Sequence, residues 1–337
     1  MNSRLDVIGI GNAMVDAIIP SNQEEIEKNN LNRNSMNLID EELKNKLHSN
    51  YSIKEMVGGG SLGNSMFGIT SFGGNGSFIG KIKEDEIGIF LQNDMVREGL
   101  KFPLGFTSPN ISTGCCTIFV EQDGIRTMCT FLGAGTLIGP EDINEKDIIN
   151  HKIAYLEGYL WDNENAKQAM KKMVSICKSN NQKIAFTLSD LFCVDRHRKS
   201  FSELIKSNID ILFGNEEEIL AMAEASSVED GIEYAKSLGI LTAITLSEKG
   251  SLIVHKNEVI EVNPVKVEKV IDTTGAGDLY AAGFLYGCAK NRSFEECGRY
   301  ASIAASESIS HYGCLLYTSP SPRDQRGSGI KSCGWKK

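Results

Sequence analysis

The chain has 337 residues, 41% of them hydrophobic, and a formal net charge of −9, enough to bury one large core or two but a poor match for nucleic acid or an acidic membrane surface. No run of about 20 apolar residues could span a bilayer, and the N-terminal apolar stretch, which holds Asn12 and Asp16 and lacks a basic leader, reads as strand and not as a signal peptide. Nine Cys in no paired spacing, with Cys115 and Cys116 adjacent, point to reduced thiols and a cytoplasmic protein, and five scattered His offer no metal-ligand cluster.

Taken in order, Leu5-Asp6-Val7-Ile8-Gly9-Ile10 is a buried-strand signal that Gly11-Asn12-Ala13-Met14-Val15-Asp16 leaves. Met14 stands where a dinucleotide fingerprint would need its third Gly, which disfavours an oxidoreductase. Residues 22–34 are polar and read as a connection. The cluster Gly58-Gly59-Gly60-Ser61-Leu62-Gly63-Asn64-Ser65 opens a helix reaching Phe72. Its glycines let backbone approach a ligand or hinge; the plainer reading is a loop before a Ser-capped helix. Residues 77–80 form a short strand, and Asp85 caps a helix that buries Ile87, Phe90, Leu91 and Met95 before Gly99 ends it. Thr117-Ile118-Phe119-Val120 and Ile125-Arg126-Thr127-Met128, joined at Asp123-Gly124, predict a hairpin that belongs to an inserted sheet.

From residue 153 strands and helices alternate: strand 153–158 and helix 163–179, strand 184–188 and helix 198–206, strand 209–213 and helix 216–225, then helix 228–238 and strand 242–246. This rhythm predicts an α/β fold with a doubly wound parallel sheet, whose ligands sit at the carboxyl ends of its strands. Two such ends carry signals. Asn215-Glu216-Glu217-Glu218 is an acidic cluster that on its own reads as a dipole-favoured helix start. Thr245-Leu246-Ser247-Glu248-Lys249-Gly250 is a turn with one glycine.

The most informative stretch is Val270-Ile271-Asp272-Thr273-Thr274-Gly275-Ala276-Gly277-Asp278, followed by the Ala- and Leu-rich helical run 279–287. A glycine turn entering a helix aims unpaired N–H groups outward and makes an anion site. A carboxylate there repels phosphate, so Asp278 reads as the acceptor of a proton from an attacking hydroxyl, with a plain helix cap as the alternative. No Lys-Ser/Thr follows as in a Walker A loop.

The run DTTGAGD at 272–278 resembles the signature of the ribokinase-like (PfkB) family of carbohydrate and nucleoside kinases. GNxxxD at 11–16, GGSxxNS at 59–65 and DILFGNE at 210–216 resemble its adenosine kinases. The resemblance covers residues 1–313. It implies a ribokinase-like domain over 1–313, a mostly parallel sheet flanked by helices, with a small β lid whose strands fall within 12–40 and 107–130. It implies that Gly275, Ala276 and Gly277 form an anion hole over the transferred phosphoryl group and that Asp278 is the base. Arg126 matches a lid arginine that closes toward that phosphate, a solvated strand residue being the alternative. Asp16 would bind a ribose diol, as a charged acceptor of two hydroxyl hydrogen bonds can. Asn12 and Asn64 would assist it, Gly59 and Gly60 would be the lid hinge, and Met14 and Phe192 would line a base pocket. Asn215 and Glu218 would organise Mg²⁺ through water. Thr245, Ser247 and Gly250 would meet ATP, with Ser247 where the family's T-x-G-x-x-G has its first Gly. The expected substrate is adenosine, with ribose, fructose or 2-keto-3-deoxygluconate as the sugar alternative. A nucleoside binder without turnover is a third reading, against which Asp278 argues. The protein would be a monomer or homodimer.

Residues 314–337 begin Cys314-Leu315-Leu316-Tyr317-Thr318-Ser319-Pro320. They resemble the conceptual translation of a sequencing adapter and are set apart as a non-native segment, a disordered tail rich in Ser, Pro, Gly and Lys being the alternative.

Overall fold

The computed structural model describes residues 4–108, 110–122 and 124–310. Asp123 and the segment 314–337 lie outside the described residues. The strands are β1 (Leu5–Ile10), β2 (Met14–Pro20), β3 (Met36–Leu38), β4 (Glu55–Gly59), β5 (Gly76–Ile79), β6 (Ile82–Lys83), β7 (Phe106–Ser108) and β8 (Gly114–Val120). They continue as β9 (Arg126–Phe131), β10 (His151–Glu157), β11 (Lys183–Thr187), β12 (Ile211–Asn215), β13 (Leu241–Thr245), β14 (Ser251–His255) and β15 (Glu258–Val262). The helices are α1 (Gln23–Lys28), α2 (Glu41–Asn50), α3 (Ser61–Ser71), α4 (Glu86–Arg97), α5 (Glu145–Ile149) and α6 (Glu164–Ser179). After them come α7 (Leu191–Asn208), α8 (Glu216–Ala223), α9 (Val228–Leu238), α10 (Ala276–Ala289) and α11 (Phe294–Ser308).

Eight strands form the main sheet in the order β15-β14-β13-β12-β11-β10-β1-β5, parallel except for β14 and β15 at one edge. Helices cover both faces, which is why β1, β10 and β12 are buried along nearly all of their length and do not alternate. One core layer packs Met170 of α6, Phe201 of α7, Ile219 of α8 and Ala235 of α9 against the sheet. The other packs Met66 of α3, Leu91 of α4, Phe284 of α10 and Ala301 of α11.

A second sheet, ordered β3-β9-β8-β2-β4, leaves the main sheet through Gly11 to Ala13, so the apolar N-terminal stretch divides between the two sheets. The hairpin of β8 and β9 forms as the sequence predicts, with Gly124 at φ +87°. On one face Ile19, Phe119 and Cys129 pack with Ile26 of α1 and Leu47 of α2. On the other Met14, Cys116 and Ile118 cluster with Met128 and Leu132, and Asp16 is paired in register with Cys116.

Three local expectations change. The small sheet also takes β4, which lies outside the ranges 12–40 and 107–130, because Gly59 and Gly58 pair antiparallel with Met14 and Val15. Helix α7 begins at Leu191 and not at 198, since the Asp190 carboxylate accepts the Cys193 N–H at 2.6 Å and this cap overrides the strand-like run after it. Helix α3 is not capped by serine: Gly60, at φ +81°, is its N-cap without a side-chain bond, which frees the hydroxyl of Ser61.

Candidate active site

The parallel strands deliver their following loops to one edge: Asn12 after β1, Glu157 ending β10, Ser189 and Phe192 after β11, Asn215 ending β12 and Ser247 after β13. Helix α10 brings Asp278 to this edge. Gly275 precedes it at φ +74°, a left-handed conformation that favours glycine. The first-turn amides of α10 have no acceptor within the helix, and the space beside Gly277 is open to 4 Å. Apolar all round, α10 is buried between α3 and α11, and a Cβ on Gly68 would stand 2.6 Å from that of Ala282. This close approach lays the start of α3 beside Asp278.

Asp278 Oδ1 accepts the Ser61 hydroxyl at 2.6 Å, and its Oδ2 accepts the Asn64 amide at 2.9 Å. Burial pushes its pKa up, and these two hydrogen bonds oppose the rise. The residue is nevertheless only half-buried by exposed surface. Asn64 is itself buried, and its Oδ1 has no partner among the described residues.

Asp16 sits on the small sheet against the backbone of Gly59, where a Cβ would fall 2.4 Å from its Oδ1. Burial, then the charge of Asp278, raises its pKa to about 7, with Arg126 pulling the other way. Arg126 pairs with Asp272 of the turn before α10 at 2.8 Å, both nearly buried, so it is no solvated strand residue. Met14 lies against Gly60.

Glu157, which the sequence reading passes over, is buried and accepts three hydrogen bonds: from the N–H and side-chain amide of Asn12 and from the N–H of Leu62. It ties the β1 exit to the first turn of α3. Burial drives its pKa up to about 7 against those bonds. Its signal in the sequence is an acid directly after the apolar run Ile153 to Leu156.

Asn215 and Glu218 form a capping box: the Asn215 carboxamide accepts the Glu218 N–H at 2.8 Å and donates to Glu218 Oε1 at 2.7 Å. Burial, and then the charges of Asp190 and Glu217, lift Glu218 to about 7. A carboxylate already engaged in this way does not suit direct ligation, whereas an excess of negative charge suits a hydrated cation held through water. Among the described residues no group of three or more His, Cys, Asp or Glu could hold a metal ion by itself.

Ser247 takes φ +54°, so the backbone conformation a glycine would favour persists with serine in place. Gly250, at φ +89°, is required by packing, since a Cβ would meet the Val262 carbonyl at 2.2 Å. Phe192 lies in the first turn of α7 and is 69% exposed.

The sequence matches the pfkB family carbohydrate kinases over residues 28–321, past Gly313. The chain belongs to this family. Among solved pfkB-fold structures, adenosine kinase from Sinorhizobium meliloti superposes with TM-score 0.87 at 38% identity, covering 94% of this chain and 97% of that one. A probable sugar kinase from Rhizobium etli superposes equally well, with TM-score 0.87, 36% identity and coverage of 94% and 96%. An uncharacterized sugar kinase of Archaeoglobus fulgidus is 29% identical over 248 residues, 73% of this chain and 96% of that protein. The pfkB assignment accounts for the two sheets and for a kinase activity on a sugar or nucleoside. Among the described residues no helix is long and apolar enough to cross a membrane.

Proposed function

We propose that this kinase transfers the γ-phosphoryl group of ATP to the 5′-hydroxyl of adenosine. The observation that carries the chemistry is Asp278, held by Ser61 and Asn64 at the start of α10. The hydroxyl oxygen bonds to the γ-phosphorus as the bond to the bridging oxygen of ADP breaks, and the proton passes to Asp278. In a loose transition state the proton leaves late, so placement of the carboxylate matters more than its basicity. The amides of Gly275, Ala276 and Gly277 stabilise the transferring group, the Ala276 N–H exchanging for it the Thr273 carbonyl that it meets at 3.2 Å. Bound Mg²⁺ would offset phosphate charge, with Asn215 and Glu218 orienting its waters.

The choice of adenosine over a sugar rests on the face of the small sheet. Beside Asp16, which can accept a diol, that face carries the apolar cluster of Met14, Cys116, Ile118 and Met128, the chemistry a base would need. The exposed ring of Phe192 supplies a second apolar surface. Similarity to the Sinorhizobium adenosine kinase supports the same reading. The sugar reading is favoured by the Archaeoglobus relative and by Asp16, which serves any diol. Turnover of adenosine, ribose, fructose and 2-keto-3-deoxygluconate with Mg-ATP separates them: kcat/KM should be highest for adenosine, and a faster sugar overturns the nucleoside assignment.

A further inference from the structure

A serine at the start of a helix usually spends its oxygen on that helix's own amides. Ser61 does not. Gly60 occupies the cap, and the Ser61 hydroxyl crosses to Asp278 Oδ1 at 2.6 Å, a charge-assisted bond at the short end of its range. One turn on, Asn64 donates to Oδ2, and Ser65 donates to the Asp278 backbone carbonyl at 2.9 Å. Three side chains of one helical turn thus fix both oxygens of the carboxylate and the peptide that carries it.

We propose that Ser61 is a positioning residue for the proton acceptor, fixing with Asn64 the plane of the Asp278 carboxylate so that its remaining lone pairs face the substrate hydroxyl. The proposal rests on Asp278 being the base. The role follows from geometry, because without the Ser61 bond Oδ1 loses its in-plane partner and the carboxylate can swing about its Cβ–Cγ bond on the single tether of Asn64. A donor to the ionised form also opposes the rise that burial imposes on Asp278. The titratable groups in electrostatic contact with this carboxylate are Asp16 of β2 and Tyr155, Glu157 and Tyr159 on and after β10. Arg126 of β9 and Asp272 of the same turn stand beside Asp16. Replacing Ser61 changes none of these charges, so a displaced pH profile reports on Asp278 itself.

The test compares Ser61→Ala, Ser61→Thr and Asp278→Asn with the native chain, measuring kcat and KM from pH 5 to 9 with Mg-ATP and the substrate turned over fastest. Ser61→Ala should lower kcat about tenfold with KM kept within about twofold, and should move the acid limb of kcat up by about one pH unit, because the lost donor had favoured the charged form. Ser61→Thr keeps the hydroxyl and should restore the limb. An unmoved limb in Ser61→Ala, or an equal loss in Ser61→Thr, overturns the positioning role. If Asp278→Asn turns over near the native rate, the base assignment itself falls. An inactive Asp278→Asn with an unmoved Ser61→Ala limb overturns Ser61 alone.

Discussion

Arg126 of the small sheet and Asp272 of the turn before α10 form an ion pair at 2.8 Å, with side chains 10% and 5% exposed. It ties the small sheet to the turn that leads into Asp278. A buried pair stripped of one member leaves an uncompensated charge, at a cost of about 3–5 kcal/mol. Arg126→Ala should therefore lower the thermal midpoint as well as turnover, whereas Asp272→Asn, which keeps a hydrogen-bond acceptor, should cost less. Calorimetry of both variants checks this, and an Arg126→Ala protein that melts with the native one would show that the pair does not hold the small sheet to the turn before α10.

Asp278→Asn should reduce kcat by about a hundredfold or more, the scale of losing a general base, with KM nearly unchanged. Steady-state kinetics at saturating Mg-ATP are sufficient. Asparagine can still pair with Ser61 and Asn64, so a large rise in KM instead would assign Asp278 to binding.

Asp16 yields a pH prediction. Its folded pKa of about 7 lies above the ordinary aspartate value of 3.8, so between roughly pH 4 and 7 the folded chain keeps a proton that the unfolded chain has released. Stability from this group is fully present at low pH and is lost as pH rises through that window; Glu157 and Glu218 act in the same direction. Asp16→Asn removes one such group and should stabilise the protein at pH 8 by on the order of 1 kcal/mol relative to its effect at pH 5, while impairing every substrate. Urea denaturation at the two pH values measures the difference; an Asp16→Asn effect independent of pH would mean that Asp16 is ionised throughout.

Phe192 is exposed, so Phe192→Ala should leave the melting temperature within about 1 °C. Stacking of a base on an aromatic ring contributes about 1 kcal/mol beyond area burial, so the variant should weaken adenosine binding several-fold and spare sugars. Asp16→Ala, by contrast, should weaken all diol substrates alike. Titration calorimetry with adenosine gives the answer, and unchanged adenosine affinity in Phe192→Ala removes Phe192 from the base pocket.

Local order was legible wherever a short-range physical rule governs it. The alternation of apolar strands and amphipathic helices after residue 153, the Asp85 cap and the Gly124 turn follow from periodicity and backbone preference, and the order of the main sheet agrees with them. DTTGAGD pointed to Asp278 through its resemblance to a family signature, and the left-handed Gly275 before α10 is the local part of that pattern. Contacts between distant segments were not legible. That Ser61 and Asn64 reach Asp278 across more than 200 residues depends on how closely α3 and α10 pack, which the small residues Gly68 and Ala282 decide. That Glu157 brackets Asn12 and Leu62 depends on β10 pairing with β1 and on α3 packing beside them, and that Arg126 meets Asp272 depends on the small sheet meeting the turn before α10. Residue types and their spacing specified which side chains could carry the chemistry; packing between distant elements selected which of them touch, because a hydrogen bond a few ångströms long is set by helices and sheets meeting at close range.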